Sequence, residues 1–305
     1  MEIKTVSIVG LGALGVLFGN HLSKHMNREN LRIVADSNRI EKYIHEGVFC
    51  NGVPCDFNYV SSDAACTPSD LLIFSVKSNS LEAAISTAKN QVGPNTLIIS
   101  LLNGISSEEI IGQTFGMEKI IYSVAQGMDA VKIENKLNYQ QMGMICFGDM
   151  KNDLTSEKVL VLDDFLNKMF VPHEVSPNMH KKLWGKFMMN VGVNQSVAVF
   201  ECDYGGVQRD GIARETMIAA MREVITLSEK EDVFLTEDDL NYWLRVLEGL
   251  NPQGKPSMRQ DIEAKRYSEV NLFAGTVLTL GRKHEIDFPV NQMLYNKIKA
   301  LENDF

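Results

Sequence analysis

The stretch VSIVGLGALG, residues 6–15, decides how the rest of the chain is to be read. A β-branched run ends at Val9 and meets Gly10-Leu11-Gly12-Ala13-Leu14-Gly15, after which an apolar helical pattern runs to about Met26. A G-x-G-x-x-G motif alone is a weak signal, because any tight strand-to-helix turn favours glycine. Here it closes a strand and opens a helix, the setting of a dinucleotide-binding fingerprint. Gly10 permits the tight turn, Gly12 lets the backbone approach a pyrophosphate, and Gly15 lets helix and strand pack closely. The loop, with Leu11, Ala13 and Leu14 between its glycines, offers N–H groups and the positive end of a helix dipole to phosphate oxygens.

Asp36 follows Gly15 by 21 residues, at the end of the second strand-like run, LRIVAD. A carboxylate there can accept both ribose hydroxyls of an adenosine, which favours NAD(H), and would repel the 2′-phosphate of NADP(H). Arg39, three residues on, can still reach round to such a phosphate. Asp36 also suits a helix N-cap, a role compatible with ribose binding.

Working outward, LLIFSVK (71–77), LIISLLN (97–103) and IIYSVA (120–125) are further short apolar strands. Amphipathic helical segments separate them, and Ser106 with Glu109 fits a capping box opening one of these. Continuous apolar strands alternating with helices indicate a parallel sheet covered on both faces. Beyond Val171 the apolar residues recur at helical spacing over Trp184–Phe200, Ile212–Ser228, Leu240–Leu247, Ile262–Leu280 and Val290–Leu301. The expected fold is α/β: a Rossmann-type doubly wound parallel sheet over residues 1–172, followed by an all-helical domain over 173–305. Ser176 and Pro177 fit the N-cap and first position of the helix that begins the second part.

A length of 305 residues suits two cores, and the 45% hydrophobic and 23% charged fractions are those of a soluble globular protein. A net charge of −9 argues against general affinity for nucleic acid or an anionic membrane. It leaves room for an anionic small molecule in a locally positive pocket. Five scattered cysteines, with no C-x-x-C, and six histidines, with no H-E-x-x-H, give no metal signature. An odd number of such thiols fits a reducing compartment. No export signal is visible, since the opening apolar stretch is broken by three glycines, and no run approaches the ~20 apolar residues of a membrane helix. A cytoplasmic monomer or homodimer is expected.

The segment KKLWGKFMMNVGVNQSVAVF (181–200) carries Lys186, Asn190 and Asn194 among apolar residues. Steps of four residues turn a helix through ~400°, so the three polar groups form a slanting row, ~40° apart and ~6 Å higher at each step. Such a row can be a solvated stripe, but asparagine is a poor helix former, and a buried lysine is costly unless its charge is needed. Lys77 and Asn103 follow two of the strands, where ligands lie in open α/β sheets, although either can be a plain loop residue.

Taken together, Gly10 to Gly15, Lys77, Asn103-Gly104, the row Lys186, Asn190 and Asn194, and PSMRQDIEAKRYSEV with Glu269 resemble the ketopantoate reductase family (2-dehydropantoate 2-reductase). The likeness runs from about residue 4 to about 301. The Lys-x3-Asn-x3-Asn spacing followed by S-M-x-Q-D is far more specific than the glycine loop. The resemblance implies reduction of the ketone of ketopantoate to pantoate, on the route to pantothenate and coenzyme A, usually with NADPH. It places the catalytic lysine at Lys186 and its acidic partner at Glu269, which also belongs to the cofactor side. It places substrate contacts at Asn190, Asn194, Ser257 and Asn103, and the cofactor-side lysine and asparagine at Lys77 and Asn103. Two departures bear on specificity. Asp36 stands where the family commonly has an arginine, so NADH is favoured by the residue and NADPH by the resemblance. A further substrate-side asparagine of some members falls near Asp203-Tyr204.

The chemistry follows from charge. Hydride delivery to a ketone creates an alkoxide, and a desolvated Lys186 can supply both a positive charge and a proton. Ser257 equally suits an N-cap after Pro256, and Glu269 can be a solvated helix carboxylate paired with Lys265 or Arg266. On this reading the polar row is the substrate wall of a cleft. Alternatives are a reductase of a related 2-oxo acid and a dinucleotide-binding sensor of the same fold. The sensor has no need of Lys186 and Glu269.

Overall fold

A computed structural model describes residues 2–151, 155–303 and 305. The chain divides into two compact units, residues 1–179 and 180–305.

The first unit is built on strands β1 (Val6–Val9), β2 (Leu31–Ala35), β3 (Phe49–Cys50), β4 (Val53–Pro54), β5 (Asn58–Ser61) and β6 (Leu71–Phe74). They are followed by β7 (Leu97–Ser100), β8 (Ile120–Gln126), β9 (Val131–Ile133), β10 (Lys136–Asn138), β11 (Met144–Gly148) and β12 (His173–Val175). Its helices are α1 (Ala13–Leu22), α2 (Ser37–Glu46), α3 (Leu81–Ala88), α4 (Ser107–Phe115) and α5 (Glu157–Lys168). Eight strands form one sheet in the order β12-β11-β8-β7-β6-β1-β2-β5. From β5 to β8 every pairing is parallel, while β11 runs antiparallel to β8. Counted within this sheet, the six parallel strands stand in the order 3-2-1-4-5-6, with the switch point between β1 and β6.

Period-two alternation explains why these strands are apolar throughout. Val6, Ile8, Ile33 and Ile73 pack with Val16, Leu17 and Phe18 of α1 on one face. Val9, Val34, Leu72 and Phe74 pack with Leu81, Ala84 and Ile85 of α3 on the other. Strand β5 escaped sequence reading, because its half-buried NYVS carries no such pattern. The short strands of the small sheet β4-β3-β10-β9 escaped it too. Residues 173–175, expected to begin the second domain, pair as β12 with β11 of the first unit.

The second unit contains the rest of α6 (Met179–Val199), then α7 (Tyr204–Gln208), α8 (Ile212–Lys230), α9 (Glu237–Glu248), α10 (Ser257–Glu263), α11 (Ala274–Lys283) and α12 (Pro289–Glu302). Glycines let α6 approach its neighbours closely: a Cβ on Gly192 would lie 2.4 Å from Met221 of α8, and one on Gly185 would lie 2.8 Å from Trp243 of α9. Gln195 of α6 donates to the Val191 carbonyl and to Asn291 of α12, which in turn donates to Glu223 of α8. This places a satisfied polar network inside the helical core. None of the described helices is long and apolar enough to cross a membrane.

Three local expectations are corrected. The helix of the polar row starts at Met179 rather than at Ser176-Pro177, because β12 extends to Val175 and Ser176 N–H donates back to the Phe147 carbonyl. The segment 262–280 is two helices, since Lys265 adopts a left-handed φ of 51° and ends α10. Ser106 is the N-cap of α4 but makes no side-chain cap, and Glu109 shares a hydrogen bond with Tyr122 instead.

Beside that N-cap, Glu108 is buried, its carboxylate accepting from Ser107 Oγ at 2.8 Å, with Ser107 also bonded to Ser100 Oγ at 2.8 Å. Burial outweighs these bonds and pushes the carboxyl up to about 7, from an ordinary value of 4.5. The folded state therefore favours the protonated form, and the associated stability is full below 4.5 and lost as pH rises through about 7. The loss should be on the order of 3 kcal/mol at 1.36 kcal/mol per unit. Glu108→Gln should remove this part of the pH dependence, so that urea unfolding at pH 5 and pH 8 differs less for the variant than for the wild type. Equal pH slopes for both proteins would refute the assignment.

Candidate functional site

In the first unit the site is built where β1 and β6 end side by side. Gly10 has φ +100°, and a Cβ there would lie 2.5 Å from Val76 Cγ1. A Cβ on Gly15 would lie 1.9 Å from the Gly10 carbonyl oxygen. Only glycine fits either place. Gly12 is the N-cap of α1 and gives no side-chain cap, and the first turn carries no acidic residue. The amide donors of that turn, Ala13 and Leu14 among them, are thus left to an incoming anion. Leu11, between the glycines, is buried. This cradle fits the pyrophosphate of a dinucleotide.

Ser75 holds the cradle and was missed by sequence reasoning. Its hydroxyl donates to the Gly10 carbonyl at 2.7 Å, and its N–H donates to the Val9 carbonyl at 3.0 Å. The available signal was a lone hydroxyl closing the buried run Leu71–Phe74.

Asp36 closes β2 as the N-cap of α2, accepting from Arg39 N–H at 2.9 Å and lying 3.6 Å from Arg39 Nε. Arg39 also shares a side-chain hydrogen bond with Tyr43. The Asp36 carboxylate is exposed and retains lone pairs for further donors. Lys77 is exposed just beyond β6, and Asn103 is half-buried beyond β7, the neighbouring strand. Leu101 N–H donates to the Phe74 carbonyl and so ties the two loops together. The glycine loop, Asp36, Lys77 and Asn103 thus all follow carboxyl ends of adjacent strands. The open depression lined by Lys89, Val92, Phe115 and Lys119 instead precedes β7 and β8, at the amino ends.

In the second unit, α6 carries the polar row, with Lys186 and Asn190 half-buried and Asn194 buried. The hydrogen bonds around Asn194 fix the orientation of both carboxamides. Met258 N–H, which can only donate, lies 3.3 Å from Asn194 Oδ1, and Ser257 Oγ donates to the same oxygen at 3.2 Å. The Asn194 nitrogen therefore faces the other way and donates to Asn190 Oδ1 at 3.2 Å. The relay ends at Asn190 Nδ2, which is buried with no hydrogen-bond partner among the described residues. A buried unmet donor costs ~1–3 kcal/mol, so this atom marks a place for an acceptor.

Ser257 is the first residue of α10, and Pro256 before it is the N-cap, so Ser257 does not cap that helix. Asn194 does so, from a distant part of the chain. Glu269 is half-buried in the turn before α11 rather than on a helix, and Arg266 pairs with Asp261 at 3.0 Å. Asp203 caps α7 by accepting from Gly206 N–H at 3.2 Å. Tyr204 packs on the Gly254 loop, and burial pushes its hydroxyl up to about 12. Among the described residues, no group of three or more His, Cys, Asp or Glu side chains could hold a metal ion.

Comparison with known proteins bears on both units. Residues 6–152 match the family model "Ketopantoate reductase PanE/ApbA", and residues 178–302 match "Ketopantoate reductase PanE/ApbA C terminal". The 2-dehydropantoate 2-reductase of Streptococcus pyogenes is 24% identical over 305 residues, covering 97% of each chain. That of Aquifex aeolicus is 25% identical over 301 residues, covering 97% of this chain and 96% of its own. Among solved structures, D-mandelate dehydrogenase with NADH and anilino(oxo)acetate shares the fold with a TM-score of 0.86 at 21% identity, over 98% of this chain and 99% of that one. By sequence across both of its units, the chain belongs to the ketopantoate reductase family.

Proposed function

We propose that this protein is a nicotinamide-dependent oxidoreductase that reduces the ketone of 2-dehydropantoate to pantoate, in pantothenate and coenzyme A biosynthesis. Family membership and relatives bearing that activity in their names support the reaction class. The observation that carries the reading is the buried, unmatched Asn190 Nδ2, one helical turn from Lys186. A substrate oxygen answers that donor.

The nicotinamide, when bound, supplies the hydride. The glycine loop from Gly10 to Gly15 binds the pyrophosphate through its amides, and Lys77 and Asn103 act on the cofactor side, Asn103 also reaching the substrate. Lys186 meets the developing alkoxide with its positive charge and gives it a proton, so the carbonyl becomes a hydroxyl and the amine recovers its proton from water. Asn190 donates to a substrate oxygen, while Asn194 holds Asn190 and Ser257 in place and adds its remaining N–H. Ser257 lies within reach of the carboxylate, and Glu269 orients Lys186 or a substrate hydroxyl.

NADH is the proposed cofactor. At ~5 Å and an effective dielectric of ~20, Asp36 and one phosphate charge repel by roughly 3 kcal/mol. Arg39, the nearby cation, is already engaged with Asp36 and Tyr43.

A second reading, reduction of a related 2-oxo acid, is favoured by the departure near Asp203-Tyr204, where the family resemblance implies a further substrate-side asparagine in some members. The fold shared with D-mandelate dehydrogenase is compatible with it. Comparing kcat/KM for 2-dehydropantoate and for phenylglyoxylate separates the two readings.

Lys186→Ala should lower kcat by ~10²–10⁴-fold with the fold intact, as judged by circular dichroism. Near-normal turnover would remove Lys186 from the role of proton donor. Asn190→Ala should cost about tenfold or more in kcat/KM, because a hydrogen bond to a charged group is worth ~1.5–3 kcal/mol. Nucleotide affinity should stay unchanged, and a loss of that affinity instead would reassign the residue. Asp36→Arg should shift preference toward NADPH by about tenfold or more, corresponding to ~1.4 kcal/mol. A wild type that already prefers NADPH strongly would overturn the charge argument.

A further inference from the structure

Glu302, near the end of α12, is buried yet charged, and nothing in the proposed reaction uses it. One of its oxygens accepts both the N–H of Ser268, at 2.8 Å, and the hydroxyl of Ser268, at 2.7 Å. The other accepts from Lys299 Nζ at 2.7 Å. Burial alone would raise this carboxyl, but the Lys299 and Ser268 donors outweigh it and hold the group below its ordinary value.

Ser268 immediately precedes Glu269. On the other side of Glu269, Val270 is fully buried, and its N–H donates to Ser268 Oγ at 3.3 Å. The turn then closes on Glu269 itself, whose carbonyl accepts from Leu272 N–H at 2.9 Å and Phe273 N–H at 3.2 Å. Further along, Tyr295 of α12 donates to Asn271 at 3.0 Å, and Gln195 of α6 accepts from Ala274 N–H at 3.1 Å. The irregular segment between α10 and α11, residues 264–273, would otherwise have many backbone states. The doubled bond from Ser268 to one buried carboxylate oxygen fixes the residue next to Glu269 in both main chain and side chain.

We propose that Glu302 is a positioning residue that sets the Glu269 carboxylate for catalysis, acting through Ser268. This rests on the role given above to Glu269. Removing Glu302 frees the turn, and displacement of a catalytic group by ~1 Å can cost up to about 10²-fold in rate.

The test is a double-mutant cycle on the full-length protein, with turnover of 2-dehydropantoate followed by nucleotide oxidation, together with hydrogen exchange at the Ser268 amide. Glu302→Ala should lower kcat by about tenfold or more and speed exchange at Ser268. Glu302→Gln, whose carbonyl can still accept from Ser268, should recover most of both. In the Glu269→Gln background, Glu302→Ala should cause no further loss of kcat, whereas a merely structural role would multiply the two defects. Should Glu302→Ala fold poorly, Ser268→Ala gives the same readout with one donor removed, and a smaller loss of kcat is expected. If Glu269→Gln is impaired while Glu302→Ala keeps normal turnover, or if Ser268 exchanges equally in wild type and Glu302→Ala, the positioning role is overturned. If Glu269→Gln itself keeps normal turnover, the role of Glu269 fails first, and the positioning role with it.

Discussion

The carbonyl oxygen of Asn194, accepting from Met258 N–H and Ser257 Oγ, is the contact on which the polar arrangement of the second unit depends. Two consequences follow from the directionality of hydrogen bonds. The start of α10 is satisfied by a side chain some sixty residues earlier in the chain, so α6 sets where Ser257 sits. The nitrogen of Asn194 must then point along α6 to Asn190, which leaves a buried amide of Asn190 as the unmet end of the relay. Next to it, Gln195 does the same for α11 by accepting from Ala274 N–H. Adjacent carboxamides on one helix thus register the two helices that flank the Glu269 turn. Asparagine is disfavoured within helices, and its presence here is explained by these tertiary bonds.

The first unit meets the same requirement in the opposite way. At the glycine loop the chain withholds side-chain caps, so the amides at the start of α1 stay available, and the strain of the turn is absorbed by glycine at Gly10 and Gly15. Ser75 secures the loop from behind by donating to the Gly10 carbonyl. One unit therefore offers a ready cradle of donors for an anion, while the other commits both carboxamides of its polar row internally and leaves Asn190 Nδ2 unmatched among the described residues. That contrast suits a generic cofactor held by backbone and a specific substrate selected by side chains.

The parallel sheet, the glycine loop, Asp36, Lys77 and Asn103, and the polar row on α6 were legible from residues alone. Each belongs to a local pattern: period-two strands, a motif at a strand-to-helix junction, or a four-residue spacing on a helix. What was misread lies where local propensity and tertiary contact disagree. Ser106 and Glu109 have the spacing of a capping box, yet Glu109 bonds Tyr122. Ser257 after Pro256 resembles a cap, yet Asn194 supplies it. The periodicity over 262–280 looks continuous, yet a left-handed Lys265 breaks it.

The amino-acid sequence by itself determined the division into a nucleotide-type α/β part and a helical part, because hydrophobic period and glycine placement act within a few residues. It also placed the chemical groups on their elements. Only the tertiary structure decided which atom of each carboxamide is engaged, that Ser75 braces the glycine loop, and that Glu302 holds the residue before Glu269. Those outcomes depend on hydrogen-bond partners up to some sixty-five positions apart, and direction and burial, which a linear pattern does not encode, select among them.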